Sequence, residues 1–479
     1  MREFAGFRGL HMSSLTTSSP ENVCTRTIGQ GLCIGCGVCA GLCPVGNLVM
    51  DWTPEGLLQP SDQRKCLPKC RRCLAVCPFQ DHDKDESSLA NARFGQIPGI
   101  QHTPETGYHL KAFVGCAKGY RERGASGGLA SWFLASLLEK GEVDRVICVQ
   151  PNPDPARLFV YAVTASTDEV RAGAKSAYYP VELSQAIQTM LREKKRYAVI
   201  GLPCFLKALR LAMLTDQRLQ ERVVVLAGLV CGQTKSRAFS EYLIRSKEIA
   251  PEQVRSFSFR EKDANRPASS FFARVTASAK TVCLPWTGLY GTTWLSGEFT
   301  PRACRFCDDV FAEVADVGFM DAWLPEYTKD GRGTSIVLAR SELARQVIES
   351  GMAQSETSLV PIAVDKVIAS QAGVVEQKRT QLAYRLWIAG KKAAHVQKRV
   401  SAVHPSWLNR RILAARETLR ATSHAAFRVA DFAGNDPLGT YGSAMRAPRR
   451  RLNALLLPAR CRTKTRGAIS RILRALIPA

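Results

Sequence analysis

The chain has 479 residues, 46% of them hydrophobic, and a formal net charge of +24; at roughly 100–200 residues per domain this allows two to four units and a sizeable core. No run reaches the ~18 uninterrupted apolar residues of a membrane-spanning helix. Residues 1–20 hold no apolar h-region, which argues against a secretory signal, and Met12 is a candidate start.

Without such a signal, 17 cysteines read as metal or cofactor ligands rather than disulfides. Nine precede residue 80, and eight of these form two tight groups. The first is Cys33-Ile-Gly-Cys36-Gly-Val-Cys39-Ala-Gly-Leu-Cys43-Pro44, the C-x2-C-x2-C-x3-C-P spacing of bacterial ferredoxins. Its first three cysteines can aim three thiolates at one iron–sulfur cube, with Gly35 and Gly37 letting the backbone turn. The second is Cys66-Leu-Pro-Lys-Cys70-Arg-Arg-Cys73-Leu-Ala-Val-Cys77-Pro78, with one extra residue between its first two cysteines. By the crossing rule of two-cluster ferredoxins, Cys33, Cys36, Cys39 and Cys77 hold one [4Fe–4S] cluster and Cys66, Cys70, Cys73 and Cys43 the other. Two zinc sites fit less well, because zinc knuckles pair cysteines across long intervals. Cys24 reads as a spare thiol.

Residues 81–107 are polar, then Pro/Gly-bearing, and read as a linker. Residues 108–375 alternate β-type runs (Arg145–Gln150, Leu158–Ala165, Tyr197–Gly201, Val223–Val230, Ser335–Ala339) with helical patterns (Leu129–Glu139, Glu182–Arg196, Phe239–Ser246, Leu343–Ser350). This alternation predicts an α/β domain, and the β-type runs of Arg255–Trp286 a small antiparallel insert. Gly124-Ala-Ser126-Gly127-Gly128 precedes the first of these helices; such a turn is a plain helix cap about as often as a phosphate cradle. No G-x-G-x-x-G or P-loop is present, and the histidines show no zinc-protease spacing. Cys204 and Cys231 follow strands, on the edge where open α/β sheets collect ligands. With Cys304-Arg-Phe-Cys307 they can supply four thiolates for a third cluster; ordinary buried cysteines are the competing reading. Asp308-Asp309 read equally as a solvated helix start or as acceptors beside such a site.

From residue 376 the chain is a basic extension. Residues 380–479 carry 20 Lys and Arg against 3 Asp and Glu, +17 of the total. Residues 446–479 interleave arginine with leucine and isoleucine. That pattern suits a solvated tail or a basic amphipathic helix on an anionic membrane surface, while specific nucleic-acid binding is disfavoured by the lack of aromatic residues there.

Ser126-Gly-Gly128, Ala172-Gly-Ala-Lys175 before Tyr178, Gly201-Leu-Pro-Cys204, Gly228-Leu-Val-Cys231, Cys304-Arg-Phe-Cys307-Asp308 and Ala315-Asp316-Val317, in this order, resemble the coenzyme F420 hydrogenase/dehydrogenase beta-subunit family. The likeness covers roughly residues 110–375, plus the ferredoxin-like segment many members carry in front. It implies that Cys204, Cys231, Cys304 and Cys307 hold a third [4Fe–4S] cluster. It also implies that Ser126, Gly127, Gly128 and Lys175 face an FAD, with Lys175 as a catalytic cation near the flavin. Phe205 and Met320 depart from the family pattern and are expected to alter the flavin or substrate pocket.

The expected architecture is therefore mixed α+β and α/β. An N-terminal extension (1–23) leads into a two-cluster ferredoxin-like domain (24–80) and the linker. An α/β flavin-binding domain with its antiparallel insert (108–375) follows, then a basic helical or disordered extension (376–479). The expected function is a cytoplasmic FAD- and [4Fe–4S]-dependent oxidoreductase, its basic tail admitting a peripheral place at the inner membrane face. It takes electrons from ferredoxin or a redox partner subunit and passes them to coenzyme F420 or another small organic acceptor. The alternative is a non-catalytic relay subunit of a larger redox complex.

Overall fold

The computed structural model describes residues 21–80, 84–390, 398–430 and 437–475, with side chains described as far as residue 457. The N-terminal extension up to Pro20 and the last apolar residues of the tail lie outside these limits.

The cysteine-rich segment holds one hairpin, β1 (Leu48–Trp52) with β2 (Leu58–Asp62). The stretch expected to be a linker is structured. It carries a helix, Glu86–Phe94, capped by Asp85 accepting from the Ser88 N–H, and a short hairpin, β3 (Gln101–Thr103) with β4 (Gly107–His109). The buried Glu86, Leu89 and Phe94 hidden among its polar residues explain why composition alone reads as a linker.

The remaining strands are β5 (Lys111–Ala117), β6 (Arg145–Pro151), β7 (Phe159–Thr164), β8 (Tyr197–Gly201), β9 (Val223–Leu229), β10 (Val254–Glu261), β11 (Phe272–Ala277), β12 (Thr281–Pro285), β13 (Val317–Asp321), β14 (Ser335–Ala339) and β15 (Thr357–Pro361). Eight form one sheet in the order β15-β5-β14-β13-β9-β8-β6-β7. The centre (β13, β9, β8, β6) is parallel and both flanks are antiparallel. Strands covered on both faces need apolar residues throughout, and all five residues of β14, Ser-Ile-Val-Leu-Ala, are buried. One face packs against the helix Leu129–Glu139 through Leu129, Trp132 and Phe133. The other packs against Ser184–Arg192 and Pro203–Thr215 through Ile187, Met190, Leu206 and Leu209. The expected insert is the antiparallel sheet β10-β11-β12.

Two segments expected to be separable are built into this body. Val38, Cys39 and Ala40 lie in the same apolar cluster as Ile187 and Leu206. The Leu183 N–H donates to the Cys36 carbonyl (2.9 Å), and a Cβ on Gly41 would come 2.8 Å from the Ile187 Cβ. Beyond residue 376, the helix Trp407–Val429 buries Ala415, Leu419 and Phe427, and Pro437–Ala475 buries Tyr441, Met445 and Leu452. These close over the insert: Phe299 stacks on Tyr441 with ring centroids 5.5 Å apart. Tyr441 and Arg449 donate to the buried Glu298 carboxylate, at 2.7 Å for the hydroxyl and 2.6–2.9 Å for the guanidinium. Among the described cations of these helices, Arg410, Arg411, Arg428, Arg446, Arg450 and Arg451 are exposed. Among the described residues, no helix is long and apolar enough to cross a membrane.

His424 belongs to this contact, its Nε2 lying 3.2 Å from the Thr300 carbonyl oxygen. Burial holds its pKa down to about 4, against about 6.5 when unfolded. A depressed folded pKa gives stability that is present above the unfolded value and lost as pH falls through the folded one. Lowering the pH from 7 to 4 is therefore predicted to cost up to about 3 kcal/mol through this group. Urea titrations at both pH values should show a smaller acid-induced drop for His424→Gln than for the unaltered chain; an equal drop would contradict the assignment.

Candidate functional site

The twelve cysteines singled out in the sequence gather in three sets. In the first, Gly35 (φ +74°) and Gly37 (φ +75°) take left-handed turns. A Cβ at these positions would come 2.5 Å from the Leu58 carbonyl oxygen and 2.3 Å from a Glu182 carboxylate oxygen, so only glycine passes. The turns bury Cys36 and Cys39. Burial, and after it the neighbouring thiols, raises the pKa of Cys33 (to about 12), Cys36 and Cys39; Cys77 is among those neighbours for all three. Thr27 Oγ1 lies 3.5 Å from Cys77 Sγ.

The second set, Cys43, Cys66, Cys70 and Cys73, lines one open pocket of about 340 Å³ with Val45, Leu67 and Arg72. The extra residue of the second run is absorbed locally: Lys69 takes a left-handed conformation (φ +61°), closing a turn in which the Cys70 N–H donates to the Leu67 carbonyl (3.2 Å). Asn47, fully buried, ties the set together. Its N–H donates to Cys43 Sγ (3.2 Å) and its Nδ2 to Cys66 Sγ (3.3 Å), while its Oδ1 accepts from the N–H groups of Gln63 and Arg64. Nothing in the cysteine spacing marks Asn47; an amide four residues after Cys43 is the only cue.

The third set is assembled by the sheet. Cys204 sits in the first turn of the helix Pro203–Thr215, which follows β8; Cys231 follows β9. Cys304 and Cys307 come from the turn Arg302–Phe306 and the residue after it. Burial, then Cys307, Cys231 and Cys304, raises the Cys204 thiol well above its ordinary value. Burial also pushes Cys231 up to about 12, with Lys378 working against it. Lys378 is a buried residue sequence reasoning missed; its Nζ donates to Cys307 Sγ (3.2 Å) and to the Asp309 carbonyl (2.6 Å). Burial disfavours its ammonium form, but Cys307, Cys231 and Asp309 outweigh burial and hold its pKa above the lysine range.

The first and third sets adjoin: Cys77, Cys204 and Cys307 share one apolar cluster with Leu32, Phe79 and Ala303. Asp308 and Asp309 are buried, not solvated. Asp308 accepts from the Arg399 N–H (3.2 Å), Arg399 also pairs with Glu313, and Lys207 pairs with Glu86 (3.2 Å). Cys24 is half-buried, its Sγ 3.4 Å from the Pro60 carbonyl oxygen. Among the described residues, no group of three or more His, Cys, Asp or Glu forms a site for a single metal ion.

The glycine loop lies elsewhere, over the ends of β5 and β14. Gly127 N–H donates to Ser335 Oγ (2.9 Å) and Ser126 Oγ to the Thr334 carbonyl (2.8 Å). A Cβ on Gly127 would meet the Gly115 carbonyl oxygen at 2.5 Å, and one on Gly128 (φ +78°) the Tyr120 carbonyl at the same distance. These glycines answer to close backbone packing. Lys175 (φ +95°) is ion-paired with Glu261. Lys262, unnoticed in the sequence, donates to the carbonyls of Ser126 (3.0 Å), Arg332 (2.9 Å) and Arg121. Burial, then Arg121 and Arg260, lowers its pKa to about 8. Around the loop Arg121 pairs with Asp330 (2.8 Å) and Lys175 with Glu261, and two of the loop's own polar hydrogens already have protein partners.

Of the two departures, Phe205 lines a small crevice with Cys33, Ile34, Tyr179 and Lys235, beside the first set. Met320 instead packs among Val310, Phe311, Ile336 and Leu338 in the core. The Asp316 of the Ala-Asp-Val motif also has a structural role. It is buried against Arg210 (2.8 Å) and Arg93 (3.1 Å) and accepts from the Leu226 N–H.

The mixed α/β sheet carries cysteines just beyond two of its strand ends and is joined to a compact cysteine-rich segment. Residues 112–188 match the model for the N-terminal part of the coenzyme F420 hydrogenase/dehydrogenase beta chain, and residues 194–364 that for its C-terminal part. Together these exceed half of the chain, and the chain belongs to this family. Among similar proteins, an F(420)H(2) dehydrogenase component of Methanosarcina mazei is 26% identical over 214 residues, covering 43% of this chain and 55% of its own. Coenzyme F420-dependent sulfite reductase of Methanocaldococcus jannaschii is 28% identical over 184 residues, 38% of this chain and 25% of that one. The chain thus spans about half or less of these relatives' lengths. A chain of the F420-reducing [NiFe] hydrogenase complex of Methanosarcina barkeri aligns with a TM-score of 0.48 and 15% identity, covering 61% of this chain and 97% of that one.

Removing one partner of a buried ion pair strands the other charge, typically at a cost of about 3–5 kcal/mol. Arg210→Ala, which strips Asp316 of its closest cation, is predicted to destabilise the fold by about that amount in urea unfolding. A change below about 1 kcal/mol would show that Arg93 alone suffices.

Proposed function

We propose that this chain is an iron–sulfur flavoprotein oxidoreductase that takes electrons from a ferredoxin or a partner subunit and delivers them to a small organic acceptor of the coenzyme F420 type. The observation that carries this reading is the convergence of twelve cysteines, drawn from positions 33 to 307, into three sets of four, two of them adjoining. Four thiolates brought together are the ligand complement of a [4Fe–4S] centre. The donors already at the sulfurs, Asn47 on Cys43 and Cys66 and Lys378 on Cys307, are of the kind that stabilise ligating thiolates. In this reading the three sets hold three [4Fe–4S] clusters.

FAD, when bound, supplies the conversion between single-electron and paired-electron chemistry. Ser126, Gly127, Gly128 and Lys175 are the residues proposed to face it, with Arg121 and Lys262 providing positive charge. The prior engagement of Gly127 by Ser335 and of Lys175 by Glu261 favours a second reading, in which the chain is a relay subunit without a flavin of its own. The two readings differ in a direct measurement. Anaerobically purified protein should contain one FAD per chain if the first holds and none if the second does, and Lys175→Ala should weaken FAD retention.

Iron analysis tests the centres themselves. Three [4Fe–4S] clusters require about 12 irons per chain, and Cys304→Ser with Cys307→Ser should lower this to about eight. Zinc in place of iron would end the electron-transfer reading. Lys378→Met removes a positive charge from the third set and should lower that centre's midpoint potential in an EPR-monitored titration, leaving the other two unmoved. An unchanged potential would restrict Lys378 to a packing role.

A further inference from the structure

The three cysteine sets differ in their access to solvent. Cys36 and Cys39 of the first and Cys304 and Cys307 of the third are buried, whereas all four cysteines of the second are half-buried. The second opens outward, and its rim is unusual. The segment Gln63-Arg-Lys-Cys-Leu-Pro-Lys-Cys-Arg-Arg-Cys73 carries five cations and no acid. Arg64, Lys65, Lys69 and Arg71 are exposed, and Arg72 is half-exposed at the pocket itself.

The neighbouring acids offset only part of this rim. Asp62 keeps its charge while accepting from the amides of Asn22 and Asn47. Asp216 is buried and shared between Arg72 and Arg218. Glu21 is divided between Arg26 (3.1 Å) and Arg71 (3.6 Å). At the centre of the cations Leu67 is 45% exposed, beside Cys66, with Pro44 and Val49 also open to water. An apolar centre within a charged rim is the usual anatomy of a protein docking site. Lys69, held at φ +61°, carries its charge on a turn that a glycine would make more cheaply.

We infer that the basic rim around Cys66 and Cys70 is the docking surface for an acidic one-electron iron–sulfur carrier protein. This rests on the reading of the second set as a cluster site. The redox event is the loss of one electron by the reduced carrier and its gain by the centre at Cys43, Cys66, Cys70 and Cys73; no bond is made or broken and no proton moves. The rim's charge selects the partner's sign and speeds its approach. Leu67 and Pro44 supply the contact that lets the two centres come close. A membrane surface would match the charge but not deliver an electron, and the rim has no aromatic residue on which a nucleotide base could stack.

The test uses the full-length holoprotein and an acidic [2Fe–2S] ferredoxin as probe. Binding of the oxidised ferredoxin is measured by calorimetry at 25 mM and 300 mM NaCl, for the unaltered chain and for Arg64→Glu with Lys65→Glu. The expected result is at least tenfold weaker binding at high salt, and at least tenfold weaker binding by the double variant at low salt. In stopped flow, the variant should accept electrons more slowly from reduced ferredoxin but no more slowly from reduced methyl viologen, a small cation. Salt-insensitive binding, equal affinity in the variant, or equal slowing with both reductants would overturn the proposal. So would binding to phosphatidylglycerol vesicles, with none to ferredoxin, that the double variant abolishes. Iron analysis separates the two failures: an unaltered chain lacking the second cluster would sink the cluster reading, while the binding measurement would still decide the docking.

Discussion

A buried thiol resists ionisation, and the rest of the molecule is arranged around that resistance. Removing a thiolate from water without compensation is costly, and burial is the leading cause that raises the cysteines at 33, 36, 39, 204, 231 and 304. Holding four such sulfurs together as ligands requires positive charge or hydrogen-bond donors aimed at them. The fold supplies both: Asn47 serves two strands of the cysteine-rich segment at once, and Lys378 arrives from outside the family-matched region. The buried Asp308, Glu313 and Glu86, paired with Arg399, Arg379 and Lys207, extend the same logic one layer outward, while the Asp309 carboxylate accepts from the Glu313 N–H.

That requirement accounts for the close fit of pieces that composition would separate. The cysteine-rich segment could not shield Cys36 and Cys39 alone; it borrows Ile187, Leu206 and the Leu183 backbone from the α/β body. The turn carrying Cys304 and Cys307 likewise lacks regular structure of its own. It is held by the Arg385 guanidinium on the Arg305 carbonyl (2.7 Å), His424 at the Thr300 carbonyl and Ser423 Oγ accepting from the Phe299 N–H (2.9 Å).

Much of this was legible in the sequence because chemistry imposes spacing. C-x2-C-x2-C-x3-C, the paired glycines and cysteines placed after strands are local patterns with local causes, and the strands Tyr197–Gly201 and Ser335–Ala339 announce themselves as apolar runs. The antiparallel direction of the flanks, and the strands β5 and β15 themselves, were not legible. β5, Lys111–Ala117, contains Gly115 where β15 crosses so closely that a Cβ would lie 1.8 Å from the Ser358 carbonyl oxygen, and that need is set by a partner about 240 residues away. Asn47 and Lys378 were missed for the same reason: an amide or an amine becomes a sulfur donor only through tertiary contact. The basic extension misled because net charge reports the outer face of a helix and is silent about Leu419, Phe427 and Tyr441 on the inner one.

The clasp formed by the C-terminal helices bears on how the protein is made. Residues 24–77 leave the ribosome before the α/β body, so the first two cysteine sets are made before the Leu183, Ile187 and Leu206 that cover Cys36 and Cys39. Arg399, His424, Tyr441 and Arg449 leave last. Until they do, Glu298 and Asp308 lack their cations and the turn bearing Cys304 and Cys307 stands open on one side. A nascent chain therefore keeps Cys304 and Cys307 open on that side until residues 399–449 have emerged.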